Sequence, residues 1–167
     1  QGKPTLQVNP EANGNAWFVS TLKTVLSADD EITSLDSLET KDIAVIDVKN
    51  LKLSSTTFTR DSIAFIELTN YDVTKLTYQT RTVEPQFAVF SEIFYKNGWN
   101  AYVDGKLTPH YRVNYVLRGM EIPAGNHTIE FKFEPTIISK GNTITLVSYF
   151  LLLIIPIGWF FIEKRKQ

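Results

Sequence analysis

Residues 94–106 read FYKNGWNAYVDGK and contain two turn dipeptides, Asn97-Gly98 and Asp104-Gly105, on either side of a short segment rich in aromatic residues. Asp-Gly supplies the positive φ angles of a two-residue hairpin turn, so the segment between the dipeptides is predicted to form a strand. On that strand Trp99 would point to one face of a sheet and Tyr102 to the other. Trp99 is either a core residue of a β scaffold or, together with Tyr102, an aromatic platform for a ligand.

Apolar residues that recur in strand patterns predict further strands before and after this stretch. Residues 128–134 alternate between apolar and polar side chains, which is typical of an antiparallel sheet with one solvent-exposed face. Many short strands separated by turn residues favour a mainly β fold, an antiparallel β-sandwich of jelly-roll type. The other predicted strands cover residues 16–25, 43–48, 62–68, 75–83 and 87–95.

One short amphipathic helix is predicted after the first strand. Ser27 is followed by acidic residues, with Asp30 in the position that a helix-capping serine contacts. Apolar residues then recur at helical spacing through Leu38. The acidic cluster at residues 29–31 lacks the alternating oxygen spacing of a calcium loop, so it is interpreted as helix capping.

The C-terminal segment has the properties of a membrane-spanning helix. Residues 141–162 contain no charged side chain, and residues 144–162 (ITLVSYFLLLIIPIGWFFI) approach the roughly 20 residues that cross a bilayer. Trp159 lies near one end, and the basic residues 164–166 follow, a pattern that indicates a cytoplasmic C-terminus. A buried core helix is the alternative, but a soluble helix rarely lacks a polar face over this length.

These observations predict four regions along the chain. Residues 1–15 form a linker or edge segment, residues 16–140 an extracytoplasmic β-sandwich domain, residues 141–163 a transmembrane helix, and residues 164–167 a cytoplasmic tail. The first residue is Gln1, and no signal peptide precedes the globular part. The chain is therefore expected to be part of a longer polypeptide.

Composition argues against several classes of protein. The formal net charge is −1, and without residues 163–166 the rest of the chain has 14 basic and 17 acidic side chains, so a nucleic-acid-binding surface is not expected. There is no cysteine for a disulfide or a thiolate metal site, and two histidines are too few for a zinc or triad site. Phosphate-binding loops and hydrolase motifs are also missing from the sequence. We expect no catalytic residue, metal or cofactor in this segment.

Residues 110–119, HYRVNYVLRG, form the strongest candidate site. On a straight strand Arg112, Asn114 and Arg118 would share one face, because their spacings are even. Two guanidinium groups and an amide could bind a phosphate or sugar hydroxyls. The alternatives are a solvated strand face and a surface that docks the domain onto another part of the protein.

The order of these motifs resembles the C-terminal end of the YfhO family, which consists of large bacterial multi-spanning membrane proteins. The resemblance extends from about Asn13 to the final helix and includes NGNAWFVSTLKTV and ADDEITSLDSLETKDIAVID. Each motif is weak alone, and their order and spacing are specific together. The most specific elements are Gly98-Trp99, Val103-Asp104-Gly105-Lys106, Tyr111-Arg112, Asn114-Tyr115, Arg118 and Pro123-Ala124-Gly125.

The resemblance implies a function that the residues alone do not. The family is similar to membrane glycosyltransferases that take sugars from polyprenyl-phosphate donors and act outside the cytoplasm on cell-envelope glycopolymers such as lipoteichoic acid. Their catalytic acid lies in an early extracytoplasmic loop of the membrane part, so no residue of this chain inherits a catalytic role. This segment would be an accessory domain whose partners are the lipid bilayer, the upstream membrane part and a glycan or polyprenyl-phosphate sugar.

Two other functions remain as alternatives. The segment could be a non-catalytic structural or protein-interaction domain of a membrane protein, or a cell-surface adhesin anchored by a single span. An adhesin would carry a sorting motif such as LPxTG before the span, and the residues there, EPTIISKGN, contain none.

Overall fold

The computed structural model describes Asn9, residues 11–49 and residues 53–165, without the side chains of residues 139 and 157–162. The chain divides into two compact units, Gln1–Phe133 and Glu134–Gln167. Most of the predicted N-terminal linker, residues 1–8 and 10, lies outside the described residues. The predicted boundaries of the four regions stay predictions.

The described part of the first unit contains eleven strands and one short helix. In chain order they are β1 (Ala16–Val19), β2 (Thr21–Val25), α1 (Ala28–Thr33), β3 (Ile43–Asp47), β4 (Phe65–Asp72), β5 (Lys75–Thr82), β6 (Gln86–Ile93), β7 (Trp99–Val103), β8 (Lys106–Thr108), β9 (Tyr111–Val113), β10 (Leu117–Ile122) and β11 (Gly125–Phe133).

Two antiparallel sheets form a β-sandwich, as the sequence predicts. The strand orders are β1-β6-β10-β9 and β4-β5-β11-β7-β8. Buried residues of β5, β7 and β11 pack against those of β6 and β10 in one apolar cluster between the sheets. At its centre Tyr78, Phe90 and Phe131 pack edge to face, with ring centroids 4.8, 4.9 and 6.2 Å apart. The predicted mainly β sandwich is confirmed.

A third layer covers the other face of the four-stranded sheet. β2 and β3 pair in parallel, and their side chains form a second apolar cluster with Phe87 and Val89 of β6. β6 is therefore buried on both faces over residues 86–90. Parallel strands need a crossover connection, and α1 lies in the one that joins β2 to β3. This parallel pair departs from the purely antiparallel sandwich that we predicted.

The predicted first strand, residues 16–25, is wrong as a single element because it breaks at Ser20. The Ser20 backbone N–H and hydroxyl both donate to the Asp42 carbonyl oxygen, at 2.9 and 3.2 Å. Its own carbonyl accepts from the Phe58 N–H at 2.8 Å. These contacts turn the chain away from β6, which pairs with β1, and toward β3, which pairs with β2.

Two local signals produce the predicted structure. The Ser27 side chain caps α1 by accepting a 3.1 Å hydrogen bond from the Asp30 N–H. Asp104 and Gly105 have φ angles of 50° and 78°, the left-handed conformation of the turn that joins β7 to β8. The helix ends at Thr33, earlier than the apolar spacing through Leu38 suggests.

The second unit contains α2 (Thr136–Lys164). Judged by length and composition within the described residues, α2 provides one candidate membrane span, Thr136–Pro156. The Ser148 hydroxyl donates to the Ile144 carbonyl at 2.9 Å, so this polar group is satisfied inside the helix. The predicted span, residues 141–163, includes side chains outside the described set, and so do residues 166–167 of the predicted tail.

Candidate functional site

Residues 110–119 do not form the single straight strand that the sequence suggests. β9 ends at Val113, β10 begins at Leu117, and the two strands pair as a hairpin. Asn114 and Tyr115 have φ angles of 48° and 69°, and the Val116 N–H donates to the Asn114 carbonyl at 2.8 Å. Such a two-residue contact around a residue with positive φ describes a strained γ-turn at Tyr115.

Asn114 is used by the fold, because it extends the hydrogen bonding of β3. Its N–H donates to the Val45 carbonyl at 2.9 Å, and its Oδ1 accepts from the Val45 N–H at 2.8 Å. The residue is 7% exposed. A buried amide with these two backbone partners joins the third layer to the hairpin and is not presented to a ligand.

Arg112 joins the same hairpin to α1. Its Nη2 donates to Glu31 Oε2 at 2.7 Å, while Glu31 Oε1 accepts from the Tyr115 N–H at 2.9 Å. The Arg112 guanidinium also lies 5.3 Å from the centre of the Tyr115 ring. Burial raises the pKa of Glu31, and the contacts with Tyr115 and Arg112 oppose that rise. Two donors thus hold a fully buried carboxyl group, and they also hold the strained turn.

Arg118 lies inside the sandwich. It is 2% exposed, and its guanidinium carbon is 4.4 Å from the centre of the Trp99 ring and 5.1 Å from that of Phe131. Its Nε donates to the Ile93 carbonyl at 2.9 Å, and Nη1 is buried without a partner. Among the described carboxylates none lies within ion-pairing distance, and burial lowers the pKa of Arg118. Stacking between two rings stabilises the cation in place of a counter-ion.

The predicted straight strand with Arg112, Asn114 and Arg118 on one face is wrong, because Asn114 lies in the turn between two strands. Arg112 and Arg118 are antiparallel register partners and project from the same face of the sheet, but Arg112 contacts Glu31 at the sheet edge and Arg118 is buried in the core. Of the three, Arg112 alone lines the groove described below. A ligand-binding role for these residues stays a prediction.

Trp99 and Tyr102 do not form a joint platform, because they lie on opposite faces of β7. Trp99 is partly buried against the core and packs on Phe133 with ring centroids 5.4 Å apart. On the other face, the Lys132 ammonium lies 4.7 Å from the centre of the Tyr102 ring. Trp99 is thus both an edge residue of the core and a groove residue.

A groove of about 430 Å³ brings Trp99 and Arg112 together and is lined by three segments, residues 47–49, 94–100 and 110–112. Its walls are aromatic, and it holds three cationic side chains against one carboxylate. We call it the Trp99 groove. Its lining residues are Asp47, Lys49, Phe94, Lys96, Trp99, Asn100, His110, Tyr111 and Arg112.

His110 is neutral at the inner side of this groove. Its ring packs on Phe94 and Phe131, with centroid distances of 5.1 and 5.6 Å, and its Nε2 is buried without a partner. Burial, helped by the nearby Arg118 charge, lowers the pKa of His110 to about 4. His110 therefore contributes a neutral ring to the groove, with its Nε2 enclosed by protein.

Lys49 and Lys96 supply the other cations of the groove. Neither forms an ion pair with a carboxylate in the described part of the chain. The same described residues contain no cluster of three or more histidine, aspartate and glutamate side chains that could hold a metal ion. The arrangement suits binding of a polar, negatively charged ligand.

Comparison with known families matches residues 30–145 to the model described as bacterial membrane protein YfhO. The chain belongs to the YfhO family. The match covers every residue that lines the Trp99 groove as well as the first part of α2. Neither the comparison with curated proteins nor that with solved structures finds a match.

Sequence reasoning identified part of this groove and missed the rest. Trp99 and Arg112 were candidates, whereas Lys49, Lys96 and His110 were not. His110 and Tyr111 lie in residues 110–119, the stretch that already suggested Arg112 as a site residue. The sequence of that stretch could therefore have indicated these two groove residues as well. Lys49 follows β3 and comes near Arg112 through the parallel layer, which no local pattern indicates.

Proposed function

We propose that the β-sandwich is an extracytoplasmic accessory domain of a larger YfhO-family membrane protein, and that its Trp99 groove binds an envelope glycan bearing phosphate. The parent protein would transfer sugars from a polyprenyl-phosphate donor, as the family resemblance implies. Under this proposal the upstream membrane part catalyses sugar transfer, and the β-sandwich domain binds the glycan that accepts the sugar.

The observation that carries the proposal is the combination of flat rings and unpaired cations in one groove. Trp99 and Tyr111 offer apolar faces of the kind that pack against sugar rings. Lys49 and Lys96 carry charges without carboxylate partners among the described residues. A neutral glycan would use the rings alone, whereas a phosphate-bearing glycan uses both features.

Arg112 contributes a fixed direction to this groove. Its Nη2 is held by Glu31, and its side chain remains 34% exposed, so part of the guanidinium faces the groove. A guanidinium that is already held in place loses less conformational freedom on binding than a free lysine does. Arg112 is therefore the expected phosphate contact, and the two lysines add long-range attraction.

The test is a calorimetric titration of the full chain in lipid nanodiscs with glycerol-phosphate oligomers, a neutral oligosaccharide and inorganic phosphate. We expect binding of the glycerol-phosphate oligomers that weakens as salt rises. Lys96→Gln should weaken it, while the matched variant Lys23→Gln, on the exposed side of β2, should bind like the unmodified chain. Equal affinity in both variants would remove the groove from the proposal.

Sidedness has its own test, which uses fusions after Gln167. The basic residues 164–166 predict a cytoplasmic C-terminus, so a fused fluorescent protein should fold there and a fused alkaline phosphatase should be inactive. An active phosphatase at this position would put the sandwich on the cytoplasmic side and end the proposal of an envelope-glycan ligand.

A further inference from the structure

Six large apolar side chains are exposed at one end of the sandwich. Three of them lie at or next to the end of a strand, namely Tyr71 in β4, Ile93 in β6 and Phe133 in β11, and the other three lie in connections between strands. Their exposed fractions run from 36% to 83%. We call this set the exit-end patch, because the chain leaves the sandwich there. Its members are Tyr71, Val73, Ile93, Tyr95, Val116 and Phe133.

Strand register places these residues at the same end. Phe133 pairs with Trp99 at the start of β7, and its N–H donates to the Thr74 carbonyl in the β4–β5 turn. Gly98 packs closely against two rings, because a Cβ atom added to it would lie within 2.9 Å of both Tyr95 and Phe133. Tyr95 and Phe133 therefore lie at the same end of the sandwich.

The four-stranded sheet ends beside them. Ile93 pairs with Leu117, and the Phe94 N–H donates to the Val116 carbonyl at 2.7 Å. Arg118, the next residue of β10, stacks on Trp99, so this end of the four-stranded sheet meets the Trp99 end of the other sheet. The patch therefore spans both sheets.

Chain length ties this end to the candidate span. Glu134 and Pro135 alone separate Phe133 from Thr136, the first residue of the span. Three peptide steps cover at most about 11 Å. The headgroup region of a bilayer is about 5–7 Å deep on each side, so side chains at this end are within reach of it.

We propose that the exit-end patch rests on the lipid headgroup region and inserts its aromatic side chains there. Tyrosine is enriched at this depth, because its ring is apolar and its hydroxyl is polar. Lys96, in the same loop as Tyr95, adds a cation that anionic lipid attracts. An exposed apolar set of this kind is otherwise unfavourable in water.

This inference stands apart from the glycan proposal, because its six apolar side chains do not line the groove and its partner is lipid; Lys96 is the one side chain that both proposals use. It has one consequence for the groove. The segment 94–99 supplies Tyr95 to the patch and Phe94, Lys96 and Trp99 to the groove. A patch on the headgroups brings the mouth of the groove close to the membrane surface, where ligands carried on lipids are found.

The experiment uses single cysteines, because the chain has none of its own. Val73→Cys and Tyr95→Cys report on the exit end, and Val83→Cys and Leu107→Cys are matched exposed positions toward the other end. Each variant of the full chain carries a polarity-sensitive fluorophore in phosphatidylethanolamine–phosphatidylglycerol vesicles. A second set of vesicles contains lipid with a quencher near the headgroup.

We expect a blue shift and loss of emission with quencher lipid at positions 73 and 95, and neither change at positions 83 and 107. Equal behaviour of all four labels would overturn the proposal. A blue shift at positions 73 and 95 without quenching by lipid would also overturn it, because protein rather than lipid would then cover the patch.

Discussion

The two faces of the four-stranded sheet are covered by different kinds of contact. Toward the five-stranded sheet the contact is mainly apolar and aromatic, with Phe90 and Phe131 completely buried and one cation, Arg118, stacked on aromatic rings. Toward the parallel layer an apolar cluster is supplemented by polar contacts at the hairpin edge, namely Glu31 with Arg112 and Asn114 with Val45. Buried apolar area is the main stabilising contribution at the first face, whereas the second face also depends on directed hydrogen bonds.

The difference explains where the groove lies. Apolar packing tolerates side-chain adjustments, whereas directed hydrogen bonds hold the hairpin turn in one strained conformation. Arg112 and Tyr111 line the groove from that hairpin, so the polar contacts also set the geometry of a candidate site. Breaking contacts on each face in turn should separate global stability from groove function.

The largest effect is expected for Phe131→Ala, which removes the central ring of the apolar face. The free energy of unfolding should fall by about 3–5 kcal/mol, the range for a deleted buried aromatic side chain. Phe133→Ala, on the same strand but 36% exposed, is the matched control and should lose much less. Chemical denaturation of both variants measures the difference, and similar losses would contradict the assigned core.

Glu31→Gln should have a smaller effect that falls on the polar face. It keeps the shape but removes the charge that Arg112 contacts, at an expected cost of about 1–3 kcal/mol. Hydrogen exchange should accelerate in α1 and in the hairpin turn more than in β5 and β11. Glu39→Gln, at an exposed position, is the control. Uniform acceleration would show that the two faces are not separable.

The two histidines should give pH dependences of opposite sign. The pKa of His110 falls to about 4 on folding, so its stability contribution is lost as pH drops below its ordinary value of 6.5. Its partial exposure limits the expected loss to about 1–2 kcal/mol at pH 5. His110→Phe keeps the ring packing and should flatten this acid limb in melting curves. An unchanged acid limb in the variant would contradict a neutral buried His110.

His127 acts in the other direction and more weakly. Its Nδ1 lies 2.6 Å from Asp104 Oδ2 and its Nε2 lies 3.1 Å from the Ala124 carbonyl, so both ring nitrogens face acceptors. The Asp104 hydrogen bond raises the pKa of His127. Its contribution is complete below pH about 6.5 and is lost as pH rises through the raised value. His127→Gln should remove that alkaline loss, and persistence of the loss would refute the assignment.

Local signals predicted the parts of the fold that local contacts determine. The Asp104-Gly105 turn, the Ser27 cap and the alternation in β11 each depend on residues close together in sequence, and each was found. The mainly β sandwich followed from their sum. The break at Ser20 was missed because its partners, Asp42 and Phe58, are distant in sequence.

The candidate site was harder to predict for the same reason. The turn at Asn114 has neither glycine nor proline, and contacts from Val45 and Glu31 hold its positive φ angles. A pattern of even spacing therefore suggested one strand where tertiary contacts make a hairpin. Arg118 resembled a surface cation and lies instead between two rings, which spacing alone does not reveal.

Hydrogen exchange of the full chain in nanodiscs, with and without saturating glycerol-phosphate oligomer, tests the central claim that the Trp99 groove is the ligand site. We predict slower exchange at residues 94–100 and 110–112, which line the groove. A second groove of about 350 Å³, lined in part by Arg60, Asp61 and Phe65, provides the internal comparison and should be unchanged. Protection confined to residues 60–66, or none at 94–100 and 110–112, would contradict the account.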